Sequence, residues 1–302
     1  MLKVTAILVL SLVFCVQSGA NLAEEIAQKS YDVNHAMAFK NIMIKKRNRS
    51  SIISVSRSVG VKPRITAVER FLSNDYDDGV VKSKDIIIIR SGKLNGLGIL
   101  MTSYLDPKRS HQFMMWLPAL RKVRRMAEPQ DAGIGAGDIA FLQDVKLRRF
   151  DEEKYTLMQT KVMDIELLMM AFKKGELGRY GKGFPYKKST KIRKRKIYVV
   201  KSTYKKKAHW YDYRISYIDS EYFTDYKTKY YKNGKHIKEV HRHWTSIGNN
   251  TKSTLKIWYY WYSKDTDTGY EMATYIPKKR IKTNQNIKNA FWHTRTLKKI
   301  KR

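Results

Sequence analysis

Six short segments between residues 85 and 262 alternate with a period of two. DIIIIR (85–90), LGILMTSYL (97–105), HQFMMWL (111–117), RKIYVV (195–200), YRISYI (213–218) and TLKIWYYWY (254–262) are rich in β-branched and aromatic residues and are separated by Gly, Asn, Asp or Pro. Successive side chains of a strand point to opposite faces, and such residues pack well on a pleated surface. The stretch DYKTKYYKNGKHIKEVHRHW (225–244) places Asn233-Gly234 between two alternating runs, the strongest short-range hairpin signal because both turn residues must accept positive φ. A second turn is expected at Asp265–Gly269, ahead of YEMATYI. Many short strands joined by tight turns predict one antiparallel sheet or barrel.

Little else is regular. Leu22, Ile26 and Ala27 recur at helical spacing among Glu24, Glu25 and Lys29, which predicts an amphipathic helix from Asn21 to about Ala38. The glycine-rich stretches 128–138 and 175–188 read as loops, and IELLMMAF (165–172) as either a short lid helix or a buried strand.

Charge and the first twenty residues restrict the partners. Lys and Arg number 61 against 27 Asp and Glu, a net charge of +34, which attracts phosphate-bearing partners: nucleic acid, anionic lipid or lipopolysaccharide. Residues 1–20 carry Lys3, an apolar run from Val4 to Val16 and the small residues Ser18-Gly19-Ala20, the pattern of a secretory signal peptide cleaved after Ala20. Export turns the reading away from nucleic acid and toward an anionic membrane surface. Cys15, the sole cysteine, would leave with the peptide, so residues 21–302 are expected to fold as one domain on a packed core without disulfides.

A search for chemistry returns little. The chain has no Gly-x-Ser-x-Gly elbow, no phosphate loop and no HExxH motif, and Gly133, Gly135 and Gly137 lack dinucleotide-fingerprint spacing. His236, His241 and His243 lie near one turn, but no cysteine or carboxylate cluster completes a metal shell, so hydrogen-bonded or exposed histidines are expected. Asp75, Asp77 and Asp78 read as a surface turn, and the basic stretch 187–207 as a solvated face. The expectation is a binding protein, not an enzyme, with neither metal nor cofactor. In TLKIWYYWY, Trp258, Tyr260 and Tyr262 are expected on one face and Ile257, Tyr259 and Trp261 on the other.

WLPALRKVRRM (116–126), followed by GAGDIAFLQDV (135–145), resembles a signature of the outer membrane lipoprotein-sorting protein family, distant relatives of the LolA and LolB carriers. GLGILMTSYLD before it, IDSEYFTDYKTKYYKNGKHIKEV and FWHTRTLKK after it resemble further segments of that family. Ile139 stands where the family has Phe, and residues 164–190 diverge. The resemblance implies a mainly β, LolA-like fold: a curved antiparallel sheet, an unclosed barrel, with covering helices over an apolar cavity. It also implies a periplasmic carrier of lipid or lipoprotein cargo, served by an inner-membrane transporter of the RND or MMPL type. The alternating strands supply Ile99, Met101, Met114, Trp116, Trp258 and Tyr260 as candidate cavity residues, and Arg121, Lys122, Arg124 and Arg125 as candidate rim contacts for a headgroup or acidic partner. A basic scaffold that attaches to anionic lipid without a cavity is the alternative.

Overall fold

The computed structural model describes residues 21–48, 50–128, 147–181, 183–206, 209–247 and 255–299. Helix α1 covers 21–34. Strands β1 (Asn41–Ile44), β2 (Ile52–Arg57), β3 (Arg64–Ser73), β4 (Val81–Ile89), β5 (Gly98–Tyr104), β6 (Gln112–Leu117) and β7 (Lys122–Met126) follow. The second half contains β8 (Glu153–Leu168), β9 (Ser189–Tyr204), β10 (Tyr213–Asp219), β11 (Asp225–Lys232), β12 (Lys235–Ser246), β13 (Lys256–Asp265), β14 (Glu271–Tyr275) and β15 (Ile281–Thr283), and the chain ends on α2 (Thr294–Lys299). The six segments read from the period-two pattern all fall on strands. Asn233 and Gly234 turn between β11 and β12 at φ 48° and 76°.

All strands pair antiparallel in one sheet, ordered β7-β6-β5-β4-β3-β2-β14-β13-β12-β11-β10-β9-β8. Each half is a meander of sequential neighbours, and β2 beside β14 joins the halves. β1 and β2 lie end to end along β3, which pairs β2 through Arg64–Val68 and β1 through Arg70–Ser73. β14 and β15 run past them in the same broken way, so both strands are interrupted at one level, over 45–51 and 276–280.

The sheet wraps around α1. Ile26 packs on Val200 of β9 and Ile218 of β10, while one and a half turns later Tyr31 meets Lys82 of β4, its ring 4.8 Å from the ammonium. From β9 to β4 the sheet order takes eight steps, roughly 38 Å if flat at about 4.8 Å per strand, whereas five helical residues rise only about 7.5 Å. Strong curvature is the only way to satisfy both contacts, and the order ends on β7 and β8 without closing: this is an unclosed barrel. Residues 147–152 cover the gap, with Leu147 packed on Met101 and Phe113, and Phe150 stacked on Tyr155.

The outer face is covered at two places. Near β3 to β6, Phe291, Trp292 and Leu297 of the C-terminal tail pack on Phe71, Ile86, Ile88 and Leu100. A Cβ on Gly98 would sit 3.1 Å from Leu297, so a bare backbone there lets α2 seat closely. Over β12, β13, β14 and β2 lies a strap, residues 169–188 with 182 excepted, that buries Met169, Met170, Leu177 and Phe184. IELLMMAF therefore ends β8 and enters the strap as extended chain, and 175–188 is irregular yet packed.

Candidate functional site

The ten residues expected to form the site are distributed over both faces. Ile99 and Met101 point inward with Phe113 and Leu147. Met114 and Trp116 point outward, partly buried beneath the C-terminal tail. Trp258 lies in the inner cluster and lines a cavity of about 20 Å³ beside the end of α1, whereas Tyr260 lies outside, under the strap. Trp258 and Tyr260 were expected to share a face. A bulge separates them: His243 pairs Tyr260 and Trp244 pairs Trp258, which leaves Tyr259 as an extra residue and reverses the alternation. Arg121 sits in the β6–β7 turn at φ 49°, where Pro118 has ended β6, and Lys122, Arg124 and Arg125 stand exposed on edge strand β7. The GAGDIAFLQDV segment and the signal peptide lie outside the described residues.

The inner face of β8 to β13 carries a buried ionic network. Arg214 grips Glu153 with two hydrogen bonds of 2.8 and 2.6 Å, and the Tyr211 hydroxyl donates to the same carboxylate at 2.9 Å. Burial pushes the Glu153 carboxyl up, but Arg214 outweighs it and leaves the carboxyl below its ordinary value. Arg214 also donates to Ser216 at 2.7 Å, and Asp225 accepts from Thr228 at 2.7 Å and from Arg242 at 3.1 Å. Trp261, fully buried, lies opposite Arg242 in the β12–β13 register. The α1 side contributes small residues, Ala27 and Ser30, and the cavity left between them and Arg214 is only about 10 Å³.

The strap is fastened by polar groups of the outer face. Leu168 donates its N–H to His241 Nδ1 (3.3 Å), and His243 Nε2 meets the Leu168 carbonyl (3.3 Å) while its Nδ1 faces the Thr190 hydroxyl (3.1 Å). Met170 donates to the Tyr260 hydroxyl at 3.1 Å. His241 must accept at Nδ1 and is therefore neutral, with its Nε2–H going to Glu239, 2.5 Å away, while His243 donates its Nε2–H to the Leu168 carbonyl. Burial holds both down, His243 to about 4. Burial would raise the Glu239 carboxyl, but His241, Lys227 and Lys229 bring it to about 2. Arg57 ties the strap further, to Glu176 at 3.2 Å and the Ala171 carbonyl at 3.1 Å. His241 and His243 are thus structural hydrogen-bonding groups, and among the described residues no cluster of three or more His, Cys, Asp or Glu could hold a metal.

Where the strap meets the break in the strands, a groove of about 470 Å³ opens. Ile53, Tyr180, Phe184 and Tyr275 form its apolar side; Phe184 packs edge-on against Tyr275 at 5.4 Å and Tyr260 at 5.8 Å. Arg47, Lys279 and Arg280 also line it, all three supplied by the interrupted stretches 45–51 and 276–280. The Arg280 Nε donates to Ser50 Oγ at 3.2 Å, which fixes the guanidinium over the opening. No lining residue is acidic. Sequence reasoning missed this set. KKRNR (45–49) and PKKR (277–280) carry the cations in plain view, but only the pairing of β1 with β15 and β2 with β14 brings them together across some two hundred residues.

No family model matches the sequence, and no curated protein matches it. Solved structures do. An outer membrane lipoprotein-sorting protein domain from Vibrio parahaemolyticus superposes with a TM-score of 0.66 at 11% identity, over 92% of this chain and 99% of that one. A DUF1329 family protein from Desulfovibrio piger gives 0.67 at 13% identity, with the same coverage. A LolA superfamily protein from Nitrosomonas europaea gives 0.51 at 11%, over 90% of this chain and 97% of that one. At such identities the likeness is one of fold. The chain has a LolA-like fold, an unclosed antiparallel barrel with a helix inside, spanning nearly the whole of each relative.

Proposed function

We propose that this chain is a periplasmic carrier that binds the acyl part of a lipid or lipoprotein and hands it on without chemical change, after its signal peptide is removed at Ala20. The observation that carries this reading is the groove: on a LolA-like fold, aromatic and aliphatic side chains and three cations line about 470 Å³ of open space. That volume lies within the roughly 300–1,000 Å³ of small-molecule sites. Acyl chains suit such a surface because each buried methylene contributes about 0.8 kcal/mol and needs no directional partner. An RND or MMPL-type transporter would load or receive the cargo, and Arg121 of the β6–β7 turn with Lys122, Arg124 and Arg125 of β7, all exposed, would touch the anionic membrane or that partner. Residues 21–302 act as one domain in this reading. Among the described residues no helix is long and apolar enough to cross a membrane.

Native mass spectrometry of the protein taken from its own envelope should find an acyl lipid or acylated peptide in fixed stoichiometry. Replacing Tyr180 with Ala should weaken binding of a fluorescent fatty acid by about tenfold, the loss of part of one aromatic contact. Trp116→Ala, beneath the C-terminal tail, should leave it unchanged. Protein that carries no lipid and binds none, yet still adsorbs to anionic vesicles, would replace the carrier with a basic scaffold.

A further inference from the structure

Several arginines elsewhere in the fold are held by carboxylates. Arg57 pairs with Glu271 (2.8 Å), Arg70 with Asp85 (2.6 Å), Arg149 with Glu128 (3.1 Å), Arg195 with Asp219 (2.7 Å) and Arg214 with Glu153 (2.6 Å). Arg47, Lys279 and Arg280 have no carboxylate partner among the described residues, although Arg280 is half-buried and held by Ser50. Three positive charges line one cleft together with aromatic side chains, and no acidic residue is among its described lining. Such a field repels cations and concentrates an anion.

We infer that the groove takes an amphiphile with a single acyl chain and an anionic phosphate-ester headgroup, the phosphate on Arg47, Lys279 and Arg280 and the chain along Ile53, Tyr180, Phe184 and Tyr275. The inference rests on the carrier reading and adds the class of cargo. Guanidinium groups present paired N–H donors that match two phosphate oxygens, and the pre-oriented Arg280 loses less freedom in doing so. Charged and apolar side chains line one opening, so the headgroup and the chain can be held together only by a molecule that has both. A headgroup that carries its own quaternary ammonium would bring that charge against the same three cations. The site lies on the outer face of the sheet, under the strap, and is reached without displacing α1.

The test is isothermal titration, below their micellar concentrations, with two lipids of the same chain, 1-myristoyl lysophosphatidylglycerol and 1-myristoyl lysophosphatidylcholine, and with inorganic phosphate. The glycerol lipid should bind at least tenfold more tightly than the choline lipid, and phosphate alone far more weakly than either. In Lys279→Gln/Arg280→Gln both lipids, which share the phosphate, should bind more weakly and the preference should collapse, while an unchanged thermal unfolding midpoint shows that the variant is folded. Equal affinities for the two lipids, or a preference that survives the double substitution, would overturn the headgroup assignment while leaving a carrier intact. Inorganic phosphate binding as tightly as the lipid would make this a phosphate site with no place for a chain and would overturn it as well. Binding of neither lipid would remove the carrier reading itself.

Discussion

Lowering the pH from about 7.5 to about 5 should loosen the strap through His243. Burial holds this imidazole at about 4, against 6.5 for a solvated histidine. Between those values the unfolded chain takes up a proton that the folded chain refuses, so stability rises with pH across the window. The contribution is complete above 6.5 and drains away as the pH falls toward 4. At pH 5 the loss works out to about 2 kcal/mol, from 1.36 kcal/mol per unit and nearly full protonation of the unfolded side chain. His241, also held down by burial, acts in the same direction. Glu239 does not contribute at this pH: its folded value of about 2 lies below the ordinary 4.5, so its share is present above 4.5 and is lost only below it. His243→Gln keeps a donor for the Leu168 carbonyl and an acceptor for the Thr190 hydroxyl, and removes the titration. Urea unfolding followed by tryptophan fluorescence, wild type against variant at both pH values, isolates the term. The wild type should lose about 2 kcal/mol more than His243→Gln. Equal losses in the two proteins would refute the neutral, buried imidazole and with it this account of how the strap is fastened.

Two further outcomes follow from the charges. Glu153→Gln leaves Arg214 buried without its counter-ion and should cost about 3–5 kcal/mol in denaturant unfolding, whereas replacing both partners with apolar residues should recover much of that loss. Anionic vesicles should release the protein as salt rises, since the Debye length falls from about 10 Å at 0.1 M to about 3 Å at 1 M, while lipid already seated in the groove stays bound through its chain; sedimentation with labelled lipid reads both quantities at once.

The strands were legible because their signals are local. DIIIIR, YRISYI and the Asn233-Gly234 hairpin each specify a backbone state within a few residues, and nothing in the tertiary structure opposes it. Faces were less legible, because alternation holds only while the ladder is regular. One extra residue at Tyr259 sends Trp258 inward and Tyr260 outward, and no local feature of TLKIWYYWY marks that bulge. The groove was least legible. Its cations come from two breaks in the sheet, near residues 47 and 280, that only the β2–β14 junction aligns. The inner network was hidden for the opposite reason. Glu153, Arg214, Asp225 and Arg242 look like ordinary surface charges in sequence, and the apolar alternation around them is satisfied equally well by either face.

That network also changes how the net charge of +34 is displayed. Glu69, Asp85, Glu153, Asp219, Asp225 and Asp265 are buried, a substantial part of the 27 acidic residues, whereas the buried cations are Arg214, Lys238 and Arg242. More negative than positive charge is therefore withdrawn from the solvent, and the exterior is more cationic than composition alone suggests. On β9 and the approach to it, Lys187, Lys188, Lys191, Arg193, Lys194 and Lys196 stand exposed, and β7 with the turn before it presents Arg121, Lys122, Arg124 and Arg125 at the far end of the sheet order. A field of one sign over both ends of the sheet speeds encounter with an anionic surface but cannot select a ligand. Selection needs cations fixed beside an apolar wall, as Arg280 is fixed by Ser50 in the groove with Tyr275 and Phe184. The buried acids thus hold the curved interior together and leave the exterior charge to the cations, and in the proposed carrier that charge would act on the membrane while the groove selects the cargo.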